Sequence, residues 1–178
     1  MRNFILFCFL FLLTFVSTPS RALAFSDISA HFLQNDEIFA PADLRVLQLR
    51  SYLLKWKSPL VDSSELIIYA ADAYEIPWTL VPAIAGVESG FCRSIIHNSY
   101  NCWGWRNGAH RFVSYEEAII TISQSLRLRY YDKGLTSIER IAPIYAPPSS
   151  SWGKNVRFFM EKIEREFLPD SFHLQISI

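Results

Sequence analysis

The chain carries no excess of positive charge: 17 lysines and arginines stand against 17 aspartates and glutamates. Without a basic surplus there is no electrostatic footprint for a polyphosphate, and a nucleic-acid partner is not expected. Internal repeats and low-complexity tracts are also missing, so neither a repeat array nor a compositionally biased segment is expected. Cysteine is scarce, with only Cys8, Cys92 and Cys102. No apolar run reaches the ~20 residues that a membrane-spanning helix needs.

The one apolar run near the start, Phe4 to Val16, follows Arg2 and precedes the small-x-small triplet Ala22-Leu23-Ala24. That order reads as a secretory signal peptide over residues 1–24, cut before Phe25. An exported protein, secreted or held in the cell envelope, follows, with no stable membrane span after processing. Removing 24 of the 178 residues leaves 154, and the loss of Arg2 and Arg21 lowers the basic count from 17 to 15 against 17 acids. A chain of that length can form one domain with its own core, and a monomer is expected. In an oxidising compartment the remaining even pair, Cys92 and Cys102, reads as a disulfide. A metal site of Cys92, His97, Cys102 and His110 is the competing arrangement, but its spacing fits none of the common zinc patterns. No metal and no cofactor are expected.

Residues 25–41 hold no sustained period and read as a lead-in; the domain is expected over 42–170, with a tail at 171–178. Leu44, Leu47, Leu49, Leu53, Leu54 and Trp56 predict a first helix, ended by Ser58-Pro59. Asp62-x-x-Glu65 predicts a capping box for a second helix through Tyr74. Trp78 to Val87, apolar nearly all round, predicts a central third helix. Asn107-Gly108 between Trp103-x-Trp105 and Phe112-x-Ser114 predicts a β-hairpin over 102–113, with Trp103 and Trp105 on one face and Cys102 on the other. Ser114-x-x-Glu117 is a second capping box, opening a helix that Gly134 closes. Thr136-x-x-Glu139 caps a short helix ending by Ala142-Pro143, and Ser151 caps a last helix through Phe167, closed by Pro169.

Glu88 stands at the downstream end of the apolar third helix, where nothing nearby on the chain neutralises it. If it is buried, desolvation and the negative helix end both disfavour its charged form, and it could hold a proton for donation near neutrality. If it lies just past the last turn, it reaches water and is an ordinary surface acid. No second acid stands in an obvious cleft position: Glu116 and Glu117 open a helix, and Asp72 and Glu75 fall on a solvated face. His97 and His110 sit in the turn segment, and a cysteine-histidine hydrolase would require a free thiol beside them.

Four segments in order carry a resemblance. Ala83-Ile84-Ala85-Gly86-Val87-Glu88-Ser89-Gly90, Asn101-Cys102-Trp103-Gly104-Trp105, Phe112-Val113-Ser114-Tyr115-Glu116-Glu117-Ala118-Ile119, and Ile144-Tyr145-Ala146 with Trp152-Gly153-Lys154-Asn155-Val156 are similar to motifs of the bacterial glucosaminidase-like domain. That domain, also described as mannosyl-glycoprotein endo-β-N-acetylglucosaminidase-like, belongs to the lysozyme-like superfamily. The resemblance covers residues 62 to 165. It implies a mainly α (α+β), lysozyme-like fold with a small hairpin beside a cleft. It further implies cleavage of β-1,4 bonds next to N-acetylated amino sugars, with peptidoglycan as the partner. By resemblance Glu88 is the general acid, and Trp103 and the closing Tyr145 line the cleavage point, Tyr145 also as a catalytic group. Ser89, Asn101 and Tyr115 fall in the same motifs as substrate contacts. From the residues alone, Ser89 is equally a helix-end cap, Asn101 a turn residue, and Tyr115 an apolar contact beside a capping box. The chain departs from the family pattern at Cys92 and Cys102 together, and at Pro147-Pro148. A lytic transglycosylase and a glycan-binding module without turnover remain as alternatives.

Overall fold

The computed structural model describes residues 43–166. The expected signal peptide, the lead-in and the tail lie outside these residues, as do Phe167 and Pro169. Six α-helices follow one another: α1 (Leu44–Lys55), α2 (Ser64–Ala73), α3 (Leu80–Ser89), α4 (Tyr115–Arg129), α5 (Ile138–Tyr145) and α6 (Trp152–Glu164). Single 3-10 turns at Val61–Ser63 and Tyr131–Lys133 precede α2 and follow α4. Among the described residues there is no strand, so the chain is mainly α. Nor is any of these helices long and apolar enough to cross a membrane.

Asp43 starts α1 by accepting the Arg45 backbone N–H at 2.9 Å, and Lys55 in the last turn complements the helix dipole. The capping box expected at Asp62 and Glu65 does not form. The 3-10 turn lets Ser63 N–H bond to Leu60 O at 3.0 Å, and Asp62 pairs outward with Arg50 at 3.1 Å. Backbone groups thereby do the work that a side-chain cap would have done. The box at Ser114 does form. Ser114 Oγ accepts the Glu117 N–H at 3.2 Å, while Glu117 Oε2 reaches one residue further back, to the Val113 N–H at 2.6 Å.

The central helix is α3, buried from Leu80 to Gly86, and its most extensive packing is against α6. It begins at Leu80 rather than Trp78, and Pro82 falls in its first turn, where a missing N–H is harmless. Gly86 is where α3 meets its aromatic surroundings. A Cβ at that position would lie 2.6 Å from the Phe91 ring and 3.1 Å from Phe159. Phe91 is fully buried and meets Phe159 edge-on at 5.0 Å, Tyr52 at 5.6 Å and Trp56 at 4.9 Å. These rings belong to one core cluster that also takes in Leu49, Ile67, Ile84, Ile119 and Val156.

The last two helices depart in detail from the pattern. The N-cap of α5 is Ser137, without a side-chain hydrogen bond, and Glu139 pairs with Arg157 of α6 instead of closing a box with Thr136. The helix also runs past Pro143 to Tyr145. Proline there forfeits one backbone bond, but the final turn is anchored by Tyr145, as described below. At α6 the Trp152 N–H is taken by Ser149 Oγ at 3.1 Å rather than by the side chain of Ser151, and the helix ends at Glu164.

Candidate functional site

Glu88 lies in the last turn of α3 and is exposed. The burial expected from the apolar stretch therefore does not reach it: Val87 and Glu88 fall on the outward side of α3, while Gly86 before them and Ser89 after them stay buried. The chain then reverses through Gly90, Phe91 and Cys92, three consecutive left-handed residues with φ of 57°, 60° and 68°. Glycine tolerates that conformation; Phe91 and Cys92 adopt it at some cost, offset by the buried Phe91 ring and by a bond between Cys92 and Cys102. The Cα atoms of the two cysteines are 4.7 Å apart and the sulfurs are joined. Neither sulfur is then a thiolate, which removes both the metal set with His97 and His110 and the cysteine-histidine nucleophile. His97 instead offers its carbonyl to Arg111, and His110 packs on Phe112 at 4.5 Å.

Ser89, one residue beyond the acid, is buried and fully engaged. Its Oγ accepts the Cys92 N–H at 2.9 Å and lies within hydrogen-bond reach of Cys102 O at 2.9 Å and Ala85 O at 3.0 Å. It fastens the end of α3 to the returning loop, the capping reading rather than a substrate contact.

The segment 102–113 is not a hairpin. Arg106, Asn107 and Gly108 all have positive φ, so Asn107-Gly108 does turn the chain, but the flanks share one long backbone bond, His110 N–H to Trp105 O at 3.4 Å, and form no ladder. The reason is Asn101. Its Oδ1 accepts the Trp105 N–H at 2.9 Å, and its Nδ2 donates to Trp105 O at 3.0 Å and His110 O at 3.1 Å. One carboxamide thus occupies the backbone groups that a ladder would need. Asn101 is consequently a buried loop clamp, with both ends of its amide directed inward.

Trp103, expected along the groove, is instead in the core at 1% exposure, with Nε1 donating to Val81 O at 2.9 Å. The expectation that Trp103 and Trp105 share a face fails with the hairpin. Trp105 is half-buried and carries the Arg129 guanidinium 5.1 Å from its ring centroid. What Trp103 contributes is its carbonyl, which accepts the Tyr145 hydroxyl at 2.9 Å.

Three residues from three parts of the chain, Gly104, Tyr145 and Trp152, meet around the Glu88 carboxylate. Trp152 Nε1 donates to Oε1 at 2.7 Å. On the other side, a Cβ on Gly104 would stand 2.9 Å from Oε2, so only glycine lets the loop backbone approach this closely, and its φ of +65° suits glycine as well. Tyr145 stacks on the Trp152 ring at 4.6 Å with 20° between planes. Burial, then the neighbouring Glu88 carboxylate and Tyr130, push the Tyr145 phenol well above the usual tyrosine range, so it keeps its proton as a donor.

Of the residues singled out in the sequence, Glu88 and Tyr145 are brought together, with the Trp103 carbonyl between loop and tyrosine. Tyr115 is elsewhere: it meets Tyr100 edge-on at 5.0 Å and, with Ile95, His97 and Asn98, lines a separate open depression of about 300 Å³. Trp152 and Gly104 were quoted in the motifs but given no role. Three of the four acids weighed in the sequence are engaged away from Glu88, Asp72 with Arg45, Glu75 with Arg127, and Glu117 with the Val113 N–H. No family model, no curated protein and no solved structure matches the chain.

Proposed function

We propose that the protein is an exported, lysozyme-like peptidoglycan hydrolase that cleaves β-1,4 glycosidic bonds next to N-acetylated amino sugars, with Glu88 as general acid. The observation that carries this reading is the Glu88 carboxylate itself: exposed at a helix end, with one oxygen held by the Trp152 N–H and the other set against the Gly104 backbone. A proton donor in glycoside cleavage needs that combination of fixed direction and access to the leaving oxygen. The four ordered motifs, including Glu88-Ser89-Gly90 and Tyr145, supply the substrate class by resemblance.

In this mechanism Glu88 delivers its proton to the glycosidic oxygen, which leaves with the electron pair of the C1–O bond. The carbonyl oxygen of the 2-acetamido group bonds to C1, giving a cyclic oxazolinium. Water then attacks C1, its proton passes to Glu88, and the ring opens to restore the acetamide. Substrate assistance of this kind replaces a protein nucleophile. Tyr145 suits a supporting role. Its hydroxyl proton is directed at Trp103 O, which leaves the phenol oxygen to accept the acetamido N–H and so strengthen the attacking carbonyl.

The second reading is a lytic transglycosylase. It is favoured by the engagement of Asp72, Glu75 and Glu117 away from Glu88, since attack by the sugar's own 6-hydroxyl also dispenses with a second carboxylate. Mass spectra of digested peptidoglycan separate the two, with 1,6-anhydro ends marking the transglycosylase. The shared premise is tested by turbidity clearing of purified cell walls. Wild type should clear them and Glu88→Gln should not. Equal clearing by both, or binding by both with no clearing, sinks the enzymatic reading and leaves a glycan-binding module.

A further inference from the structure

The depression beside Tyr145 is small, about 20 Å³, and its walls combine Trp105, Ile122, Leu126, Arg129, Tyr130 and Tyr145. It shares Tyr145 with the Glu88 cluster, so whatever occupies it lies next to the reacting sugar. Ser125 also lines it, and its charged group is Arg129. The bland account of an arginine at the last position of α4 is compensation of the helix dipole. That account explains a positive charge there, but not a guanidinium laid against an indole from the loop 101–110.

The neighbouring arginine shows the difference. Arg127 is held by two carboxylates, Glu75 at 2.7 Å and Asp132 at 2.7 Å. Among the described residues no carboxylate pairs with Arg129; its contact is the Trp105 ring. Held over the indole at 5.1 Å, the guanidinium is restricted in its motion and keeps the planar five-donor edge of an arginine for another partner. Such an edge matches a carboxylate, with two parallel N–H···O bonds.

We propose that Arg129, fixed on Trp105, is a subsite for a carboxylate carried by the glycan, and that the substrate is therefore an acidic amino-sugar polymer rather than a neutral one. This rests on the reading of Glu88 and Tyr145 as the cleavage point. The lactyl or peptide carboxylate of a muramic residue has the required chemistry; unsubstituted poly-N-acetylglucosamine does not. Trp105 acts as the positioning residue and Arg129 as the group that touches the substrate.

The test measures binding, in the full chain carrying Glu88→Gln, so that turnover is not required. Soluble uncrosslinked peptidoglycan strands are compared with the same strands after carbodiimide amidation of their carboxylates, and with N-acetylglucosamine oligomers. Arg129→Gln should weaken binding of the untreated strands about tenfold and leave the amidated strands and neutral oligomers unchanged. Trp105→Leu should give a smaller loss of the same selectivity, with unaltered thermal unfolding of Arg129→Gln excluding a folding defect. An equal loss on all three ligands, or no loss on the acidic one, overturns the subsite. If Glu88→Gln retains full wall clearing, the reading of the acid fails independently of this binding result.

Discussion

Trp152 Nε1 and Glu88 Oε1, 2.7 Å apart, join the first residue of α6 to the last turn of α3. The same indole is stacked on Tyr145, so the carboxylate, the indole and the phenol hold one another in place. The direction of Glu88 is thus set by a helix start that is remote along the chain and by a ring whose own position depends on the end of α5.

Replacing Trp152 by phenylalanine keeps a ring for Tyr145 but removes the N–H. Wall-clearing turnover should fall about tenfold while the apparent affinity for walls changes little. Stability should drop by about 1.5 kcal/mol in urea unfolding, the low end for a hydrogen bond to a charged group, because the carboxylate is exposed. Unchanged turnover would show that the indole does not orient the acid.

Gly104 and Gly108 form a matched pair of probes. Both have left-handed backbones, at φ of 65° and 79°, but a Cβ at Gly108 would meet nothing within 4 Å. Each alanine substitution should lower stability by about 1 kcal/mol through backbone strain. Only Gly104→Ala should also displace Glu88 and reduce wall clearing, by about tenfold or more. Equal activities in the two variants would detach the loop from the acid.

Asn101→Ala leaves the Trp105 N–H and the carbonyls of Trp105 and His110 without their partner. A loss of about 2–3 kcal/mol is expected in denaturant unfolding. Asn101→Asp should not rescue it, because a carboxylate has no donor for the two carbonyls. A change below about 0.5 kcal/mol would mean that water substitutes freely for the clamp.

The Tyr145 phenol, raised above its ordinary value by burial and by Glu88, gives a pH signature. Below about pH 10 the phenol is protonated in both folded and unfolded chains and has no effect on the pH dependence. Above that, the unfolded chain loses the proton first, so stability falls as pH rises. Burial raises Tyr131 as well, to about 12, and the same decline includes its share. The urea midpoint should fall from pH 8 to pH 10.5 in wild type, and it should fall by less in Tyr145→Phe. An identical difference would place the phenol in water.

Legibility in the sequence followed the range of the interactions. The helices α1, α3 and α4 were readable because apolar period and capping act within a few residues, and Ser114 with Glu117 illustrates this directly. The hairpin was misread because Asn107-Gly108 is a local signal for a turn, whereas the absence of pairing depends on where the Asn101 amide points. Glu88 stood out as an isolated acid, and its exposure depended on which side of α3 faces the core, since Ser89 beyond it is buried. Trp152 was passed over because its partner is 64 residues away, a distance across which no periodicity operates. Trp103 and Trp105 are alike in sequence context, and only packing against Val81 or Arg129 separates core from rim.

Gly86 lies two residues before the acid, and the side chains that a Cβ there would meet, Phe91 and Phe159, are not those around the carboxylate. The hydrogen atom it offers in place of a methyl admits Phe91 and Phe159, and those rings fix how far α3 can advance before it must turn. The reach of the carboxylate is therefore adjustable from below: bulk added beneath the helix would lift or rotate its end, altering a polar centre through purely apolar changes. Divergence among chains with this architecture could retune the setting of Glu88 while Gly104, Tyr145 and Trp152 stayed the same.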